Sequence, residues 1–163
     1  MGVFRRKWIW FAVGLPVLIA AWWAFRPEKL WINQRVKEAA PFASRSEARP
    51  IFDGRLEGRA HPTSGRATIY ETTGGVRRLS LSDFTTSNGP DVHVVLARAD
   101  DPALDQEIVK TGLDYVELGP LKGNQGDQNY DIPASVDLKK YTAVVIFCER
   151  FHAVFGRARE ESF

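Results

Sequence analysis

The fold of this 163-residue chain is decided by one stretch near its carboxyl end, Tyr141 to Gly156, which reads YTAVVIFCERFHAVFG. It is the longest apolar run outside the N-terminus, and it is rich in β-branched and aromatic residues. A short run of this composition is typical of a central strand that is buried on both faces. We therefore predict that Tyr141 to Phe155 forms one central strand of a sheet.

Upstream of this stretch, from Ile51 onward, short alternating apolar runs are separated by Gly, Pro, Asn and Asp. The segment Thr72-Thr-Gly-Gly75 lies between two such runs and predicts a β-hairpin. Gly119 to Pro133 is polar and is predicted to be a long loop. Further strands are predicted at Phe52–Gly58, Val92–Ala97 and Tyr115–Leu118. About seven or eight short strands with little helix indicate an all-β fold, an antiparallel β-sandwich or barrel, over residues 50–163.

The N-terminal part of the chain has a different character. Trp8 to Phe25 contains no charged residue over 18 positions, which is long enough for a transmembrane helix. Tryptophans at both ends of this run resemble interfacial aromatic belts. The basic N-terminus, residues 1–7, favours a cytoplasmic N-terminus and an extracytoplasmic (periplasmic or extracellular) C-terminal domain. A cleaved signal peptide is the alternative, but no small-x-small cleavage site follows the run, so a signal anchor is favoured.

Residues 26–49 are predicted to be a juxtamembrane stalk or linker. Glu28 to Ala40 could form a short amphipathic helix on the membrane, and the alternative is an irregular stalk. Pro41 to Pro50 is polar and bounded by prolines, which is typical of a linker.

The charge of the chain is distributed unevenly. Residues 1–49 carry nine of the 22 Lys and Arg residues but only three of the 20 acidic residues, so residues 50–163 hold 13 basic and 17 acidic residues. A nucleic-acid-binding domain would show a basic face. The mildly acidic composition of residues 50–163 therefore argues against nucleic acid as a partner.

Cys148 is the only cysteine of the chain. A single cysteine cannot form an internal disulfide, and it excludes multi-cysteine zinc sites, iron–sulfur sites and the C-x-x-C-H haem attachment sequence. Two interpretations of Cys148 stay open. It packs in the core as a small hydrophobe, or it is a reactive or ligating thiol near the end of a strand, because the charged pair Glu149-Arg150 follows it.

His93, Cys148 and His152 together supply the donor types of a blue-copper site. If residues 148–152 continue as a strand, however, four residues at about 3.3 Å each place the last two about 13 Å apart. Met1 is the only methionine, so the usual axial ligand is also missing. We therefore predict no metal site and leave the identity of any cofactor open. His93 is the one histidine expected near the thiol, as a candidate cofactor-binding residue.

Lys122 to Asn129 is a second candidate segment. Asn124, Asp127 and Asn129 are oxygen donors on a glycine-bearing loop, but their spacing does not fit an EF-hand, and the bidentate glutamate is missing. We favour a tight loop in which Asn and Asp side chains bond the backbone. No hydrolase or dehydrogenase motif is present in the sequence.

Several segments of the body, in order and spacing, resemble a known family. They are His61-Pro-Thr-Ser-Gly65, Leu79–Phe84, Asn88–Val94, Leu118–Tyr130 and Val144–Phe151. Together they resemble the DM-thirteen domain family, an extracytoplasmic β-rich module classified as an electron-transfer domain. The resemblance covers roughly residues 50–160. It implies that Cys148 occupies the position of the signature cysteine of the family, and that the domain is secreted or tethered to a membrane.

Two functions follow from these observations. The first is a membrane-anchored extracytoplasmic β-domain with an electron-transfer or redox role centred on Cys148. Its chemistry would be thiolate ligation of a redox cofactor, or thiol–disulfide or sulfenate chemistry with a partner. The alternative is a non-catalytic binding or scaffolding module of the cell envelope in which Cys148 is structural. The expected partners are the membrane, through the N-terminal helix, and an envelope redox or binding protein.

Overall fold

The computed structural model describes residues 14–20, 22–23, 32–42, 47–110 and 112–161, in two compact units, Met1–Ile32 and Asn33–Phe163. In the first unit, residues 14–20 and 22–23 are helical. Among the described residues no helix has the length and apolar character needed to cross a bilayer. Residues 1–13, 21 and 24–25 lie outside the described part, and they include the basic N-terminus and half of the predicted span. The membrane anchor therefore stays a prediction.

The described residues of the second unit form ten strands in two five-stranded sheets. In spatial order, sheet I contains β1 (Arg35–Lys37), β8 (Gln125–Ile132), β5 (Arg77–Thr85), β4 (Ser64–Thr72) and β2 (Ala48–Arg55). Sheet II contains β3 (Glu57–Gly58), β10 (Ala153–Arg159), β9 (Ala143–Cys148), β6 (Val92–Ala97) and β7 (Tyr115–Pro120). All pairings are antiparallel except β1 with β8. The predicted all-β fold is confirmed, as two sheets that do not close into a barrel.

The main core lies between the two sheets. Alternate side chains of each strand point inward, so Leu79 and Leu81 of sheet I meet Val94 and Ile146 of sheet II, and all four are fully buried. Each such side chain contributes about 1.5–3 kcal/mol when it is removed from water. The facing inner surfaces therefore hold the sandwich together.

The outer face of sheet II is also covered. Val95, Val145 and Phe147 point away from the main core and pack against Leu104 and Val109 of the segment that joins β6 to β7. Both faces of β9 are thus buried, which explains why its sequence is a continuous apolar run rather than an alternating one. The predicted central position of this stretch is confirmed.

The prediction of one strand over Tyr141 to Phe155 is wrong. Strand β9 ends at Cys148, residues 149–152 form a turn, and β10 begins at Ala153 and pairs back with Cys148. The turn contains no Gly, Pro or Asn, and it is closed by a hydrogen bond from the His152 amide to the Glu149 carbonyl (3.2 Å). His152 itself adopts a left-handed conformation (φ 49°), which is uncommon for residues other than glycine. The sequence therefore lacks the residue types that usually predict a turn.

The prediction of a continuous loop from Gly119 to Pro133 is also wrong, because β8 occupies most of it. The side chain of Gln128 is fully buried in this strand. It donates to the Gly123 carbonyl (2.9 Å) and accepts from the Lys122 amide (3.1 Å). A polar sequence can form an interior strand when its side chains find partners in this way.

Strand β1 lies inside residues 26–49, the segment predicted to be a stalk. It adds to sheet I beside β8, and the adjacent Glu38 carboxylate accepts from Lys122 Nζ (2.8 Å) and from the Asn129 amide (2.7 Å). Residues 35–37 are therefore extended, not helical. Strand β2 also starts within the predicted linker, at Ala48.

Candidate functional site

Cys148 is the last residue of β9, in the middle of sheet II. Its neighbours across the sheet are Val92 on β6 and Ala153 on β10. The residue is fully buried and belongs to the core between the two sheets, with Ile146 and Phe155. The expected position at a strand end is correct, but the thiol has no contact with solvent.

His93 does not lie beside the thiol. Its backbone pairs with Phe147, the residue before Cys148, so that its side chain points to the outer face of sheet II while Cys148 points inward. The structure thus separates the two residues that the sequence placed together.

His152 also lies on the outer side of sheet II, apart from Cys148. The cause of this separation differs from the one predicted from the sequence. The distance of about 13 Å expected for a continuous strand does not apply, because the chain turns back after Cys148. The imidazole of His152 instead packs edge-on against Phe147, with ring centroids 6.4 Å apart. Phe147 and Cys148 lie on opposite faces of β9, so no shared Cys–His site forms among these residues.

A polar cluster on the outer face surrounds His93. We call Asp91, His93, Tyr115, Glu117 and Glu149 the His93 cluster. His93 Nδ1 lies 2.6 Å from Glu117 Oε1, and His93 Nε2 lies 3.1 Å from Asp91 Oδ1. Tyr115 donates its hydroxyl to Glu149 Oε1 (2.6 Å). One ligand atom from each of His93, Glu117 and Glu149 lies within 4.8 Å of the other two.

Three separate parts of sheet II position the His93 cluster. His93 lies near the start of β6 and Asp91 immediately precedes that strand, while Tyr115 and Glu117 alternate on the neighbouring β7 and project from one face. Glu149 comes from the turn after β9, and its amide donates to the Asp91 carbonyl (3.0 Å). Three of the five residues of the cluster therefore lie on paired strands, and the other two lie directly beside a strand end.

The surroundings of His93 favour its protonated, positively charged form. Burial alone would lower the pKa of His93, but hydrogen bonds to the Asp91 and Glu117 carboxylates outweigh it and raise the pKa above its usual 6.5. The hydrogen bond to Glu149, together with burial, raises the pKa of Tyr115 to about 12. Tyr115 is therefore a neutral donor at physiological pH, and Glu149 is a carboxylate held in a fixed direction.

A cavity of about 300 Å³ adjoins the cluster. Phe147, Tyr115 and Val109 provide apolar walls, while Glu149, His152 and Lys110 provide polar groups. An apolar hollow with a few converging polar groups is the usual form of a small-molecule or peptide pocket. This cavity and the His93 cluster share Tyr115 and Glu149.

The segment Lys122 to Asn129 does not assemble a cation site. Asn124 accepts from the Gln34 amide (2.7 Å), Asp127 accepts from the Asp83 amide (2.9 Å), and Asn129 donates to the Ala39 carbonyl (2.8 Å). The three side chains thus bond the backbone at three different places. This agrees with the prediction that they serve structure, although part of the segment is strand.

The fold is a two-sheet β-sandwich with a buried cysteine in one sheet and a histidine–carboxylate cluster on that sheet's outer face. A family model described as "Electron transfer DM13" matches residues 55–159. The match covers more than half of the chain, so the chain belongs to this electron-transfer family, the DM-thirteen family that the sequence resembles. Comparisons with curated proteins and with solved structures gave no match.

Sequence reasoning singled out His93 but missed Tyr115, Glu117 and Glu149. A signal for two of them was present, because Tyr115-Val-Glu117 places polar groups at i and i+2 of a predicted strand, on one face of it. Glu149 had no such signal, since its position depends on the turn that the sequence did not reveal.

Proposed function

We propose that this chain is a membrane-tethered, extracytoplasmic electron-transfer domain. The observation that carries the proposal is the family match over residues 55–159. The uncharged run Trp8 to Phe25, preceded by Arg5-Arg6-Lys7, supports the tether and its orientation. The partner we propose is an envelope protein with an accessible disulfide.

The redox centre in this proposal is the thiol of Cys148. Its thiolate attacks one sulfur of the partner's disulfide, so a new S–S bond forms to Cys148, the partner's own S–S bond breaks, and a partner thiolate leaves. Because the chain has one cysteine, the product is a mixed disulfide between the two proteins. A small-molecule thiol then attacks the Cys148 sulfur, which releases the partner as a dithiol. A second thiol molecule frees Cys148, so two thiols are oxidised to one disulfide while the partner's disulfide is reduced.

Access to Cys148 has to come from a local opening, because the residue is fully buried. Cys148 immediately precedes the 149–152 turn, whose tip exposes 58% of Phe151. In the same turn His152 carries a left-handed conformation that costs an L-residue about 1–2 kcal/mol. Local openings of such segments require less free energy than global unfolding. We infer that the tip of the β9–β10 hairpin is the route to the thiol.

The rate of Cys148 modification by a small aromatic disulfide reagent tests this route. We expect full-length protein to react through an opening whose rate depends only weakly on urea at low concentration, because little surface is exposed. The Cys148→Ala variant must give no signal. A thiol that reacts only with the urea dependence of global unfolding would refute the redox proposal.

A second candidate function is a binding module without redox chemistry. The complete burial of Cys148 among apolar side chains favours it, since such a cysteine behaves as a small hydrophobe. The outer-face cavity of about 300 Å³ would then be the binding surface. In that case, Cys148→Ala changes stability and leaves capture of the partner intact.

The tether is tested by membrane fractionation of the full-length chain. We expect it to resist extraction by salt and to be released by detergent. The double variant Leu15→Lys, Leu18→Lys should release it into the soluble fraction, because each lysine costs about 2.5–3.5 kcal/mol at the centre of a span. Val3→Lys, outside the apolar run, is the matched control. A double variant that stays in the membrane fraction contradicts the tether.

A further inference from the structure

The His93 cluster contains more negative charge than its neighbours neutralise. Asp91, Glu117 and Glu149 face one imidazole, and within the described part of the chain neither Asp91 nor Glu117 pairs with a Lys or Arg. Other carboxylates of the domain do so, for example Asp53 with Arg66 and Asp114 with Lys140. A cation other than a protein side chain would therefore be stabilised here.

The donor atoms already converge. One atom each from His93, Glu117 and Glu149 lies within 4.8 Å of the other two. A tetrahedral ion with ligands at about 2.0–2.2 Å holds neighbouring ligand atoms about 3.4 Å apart. In this proposal the two glutamate side chains rotate to bring the donor atoms to that spacing, while the strands and the turn hold the three backbones in place.

The groups behind the donors have the arrangement of an outer ligand shell. A metal-bound histidine usually donates its second ring N–H to a carboxylate, which orients the ring. Asp91 lies at 3.1 Å from Nε2, which leaves Nδ1 directed towards Glu117. Tyr115 performs the same task for Glu149 through its 2.6 Å hydrogen bond.

From this geometry we propose that His93, Glu117 and Glu149 bind a divalent first-row transition-metal ion. Nδ1 of His93 and one oxygen of each glutamate are the ligands, and Asp91 and Tyr115 are positioning residues. One imidazole and two carboxylates suit Zn²⁺ and its neighbours in the first transition row better than Ca²⁺, which prefers six to eight oxygens. The cavity beside Phe147 shares Glu149 with this site, so we place the fourth position, for water or a ligand, on that side.

The site does not involve Cys148, and it stands apart from the proposed electron transfer. The protein can therefore bind redox-inert Zn²⁺ even if Cys148 has no redox activity. Equally, Cys148 can have redox activity even if no Zn²⁺ binds. The Cys148→Ala variant separates the two, since it removes the thiol and should leave Zn²⁺ affinity unchanged.

The test is calorimetric titration of full-length, chelator-treated protein in detergent with Zn²⁺, together with the visible spectrum of the Co²⁺ form. We expect one ion per chain, and a Co²⁺ spectrum of a four-coordinate site. His93→Asn, Glu117→Gln and Glu149→Gln should each abolish stoichiometric binding. Asp91→Asn and Tyr115→Phe should weaken it by about 10–100-fold while the stoichiometry stays at one.

Matched controls exist in the same chain. His61→Asn removes an imidazole that packs against Phe155, a residue of the core between the two sheets, and so lies away from the cluster. Glu71→Gln removes a carboxylate of sheet I. Both should bind Zn²⁺ as the unaltered chain does, and thermal unfolding of every variant without metal shows whether it is folded.

The proposal is overturned by any of three results. They are no saturable Zn²⁺ binding by the unaltered chain, unchanged affinity in a folded His93→Asn variant, or loss of binding in His61→Asn. A rise in the unfolding temperature with Zn²⁺ that persists in Glu117→Gln and Glu149→Gln would also place the ion elsewhere.

Discussion

Gln128 is the buried amide that joins β8 to the chain segment in front of it. Its oxygen accepts from the Lys122 amide and from the Tyr130 hydroxyl (2.8 Å), and its nitrogen donates to the Gly123 carbonyl. Burial of the Tyr130 phenol raises its pKa to about 12, so this hydroxyl stays a donor. Three groups thus bond this one side chain, and two of them, the Lys122 amide and the Tyr130 hydroxyl, also bond each other (3.2 Å).

We expect Gln128→Ala to lower the free energy of unfolding by about 1–3 kcal/mol for each buried group left without a partner. Urea denaturation measures the change. Gln106→Ala, an exposed glutamine after the 3₁₀ turn Pro102–Asp105, should stay within about 0.5 kcal/mol of the unaltered protein. Equal effects of the two substitutions would show that the buried network contributes nothing.

Among the elements, β1 depends most directly on a single glycine. Gly126 of β8 has φ +94°, and a Cβ there would collide with the carbonyl of Val36, its partner on β1. The close approach of the parallel strand and the left-handed backbone both require the absence of a side chain.

Gly126→Ala should therefore detach β1 and destabilise the domain by about 1–3 kcal/mol. Hydrogen exchange of the Gln125 amide, which donates to the Gln34 carbonyl, reports the detachment. Gly74→Ala is the control, since a Cβ in that hairpin turn meets only ordinary contacts. Unchanged protection of Gln125 in Gly126→Ala would argue against this account of β1.

The elements that sequence reasoning found are those whose signals are local. The β4–β5 hairpin around Gly74-Gly75 and strand β6 follow from turn chemistry and apolar runs. Strand β8 was not predicted because its polar side chains find partners in distant segments, as Asn129 does with the Ala39 carbonyl. The turn after Cys148 was not predicted because His152 adopts a backbone conformation that glycine normally adopts.

The candidate site, too, could be predicted only where its signals are local in the sequence. His93 was recognisable because its residue type is rare in the chain and lies in a clear strand. Its relation to Cys148 was not predictable, because it depends on which face of β6 and β9 each side chain occupies. Glu149 reaches the cluster only because β9 ends one residue before it.

For the whole molecule, several carboxylates make the folded protein less stable as the pH falls. Burial would raise the pKa of Asp53, but hydrogen bonds from Arg66 and Thr68 outweigh it and lower the pKa below 3.8. Contacts with Lys122 and Asn129 likewise lower the pKa of Glu38 below 4.5. Groups with a lowered folded pKa stabilise the protein above the unfolded value, and that stability is lost as the pH falls through the folded value.

We therefore expect the urea midpoint to fall as the pH drops below about 4.5, the higher of the two unfolded values. At these pH values His93 is protonated in both the folded and the unfolded state, so it does not contribute to the pH dependence of stability. Asp53→Asn should be less stable at neutral pH and should lose less on acidification. Glu107→Gln, an exposed carboxylate outside the ion pairs, should follow the unaltered curve. An Asp53→Asn curve parallel to the unaltered one would contradict this.

The four strands at the sheet edges bear on how copies of this chain behave when crowded together. Unpaired edge strands are templates for aggregation, and natural proteins blunt them with short strands, prolines and bulges. In the described part of the sandwich, β1 and β3 are three and two residues long. Strand β2 carries Pro50 beside a bulge, and β7 ends at Pro120 beyond a bulge in its pairing with β6. Many copies held side by side on one surface would thus stay individually folded instead of joining edge to edge into fibrils.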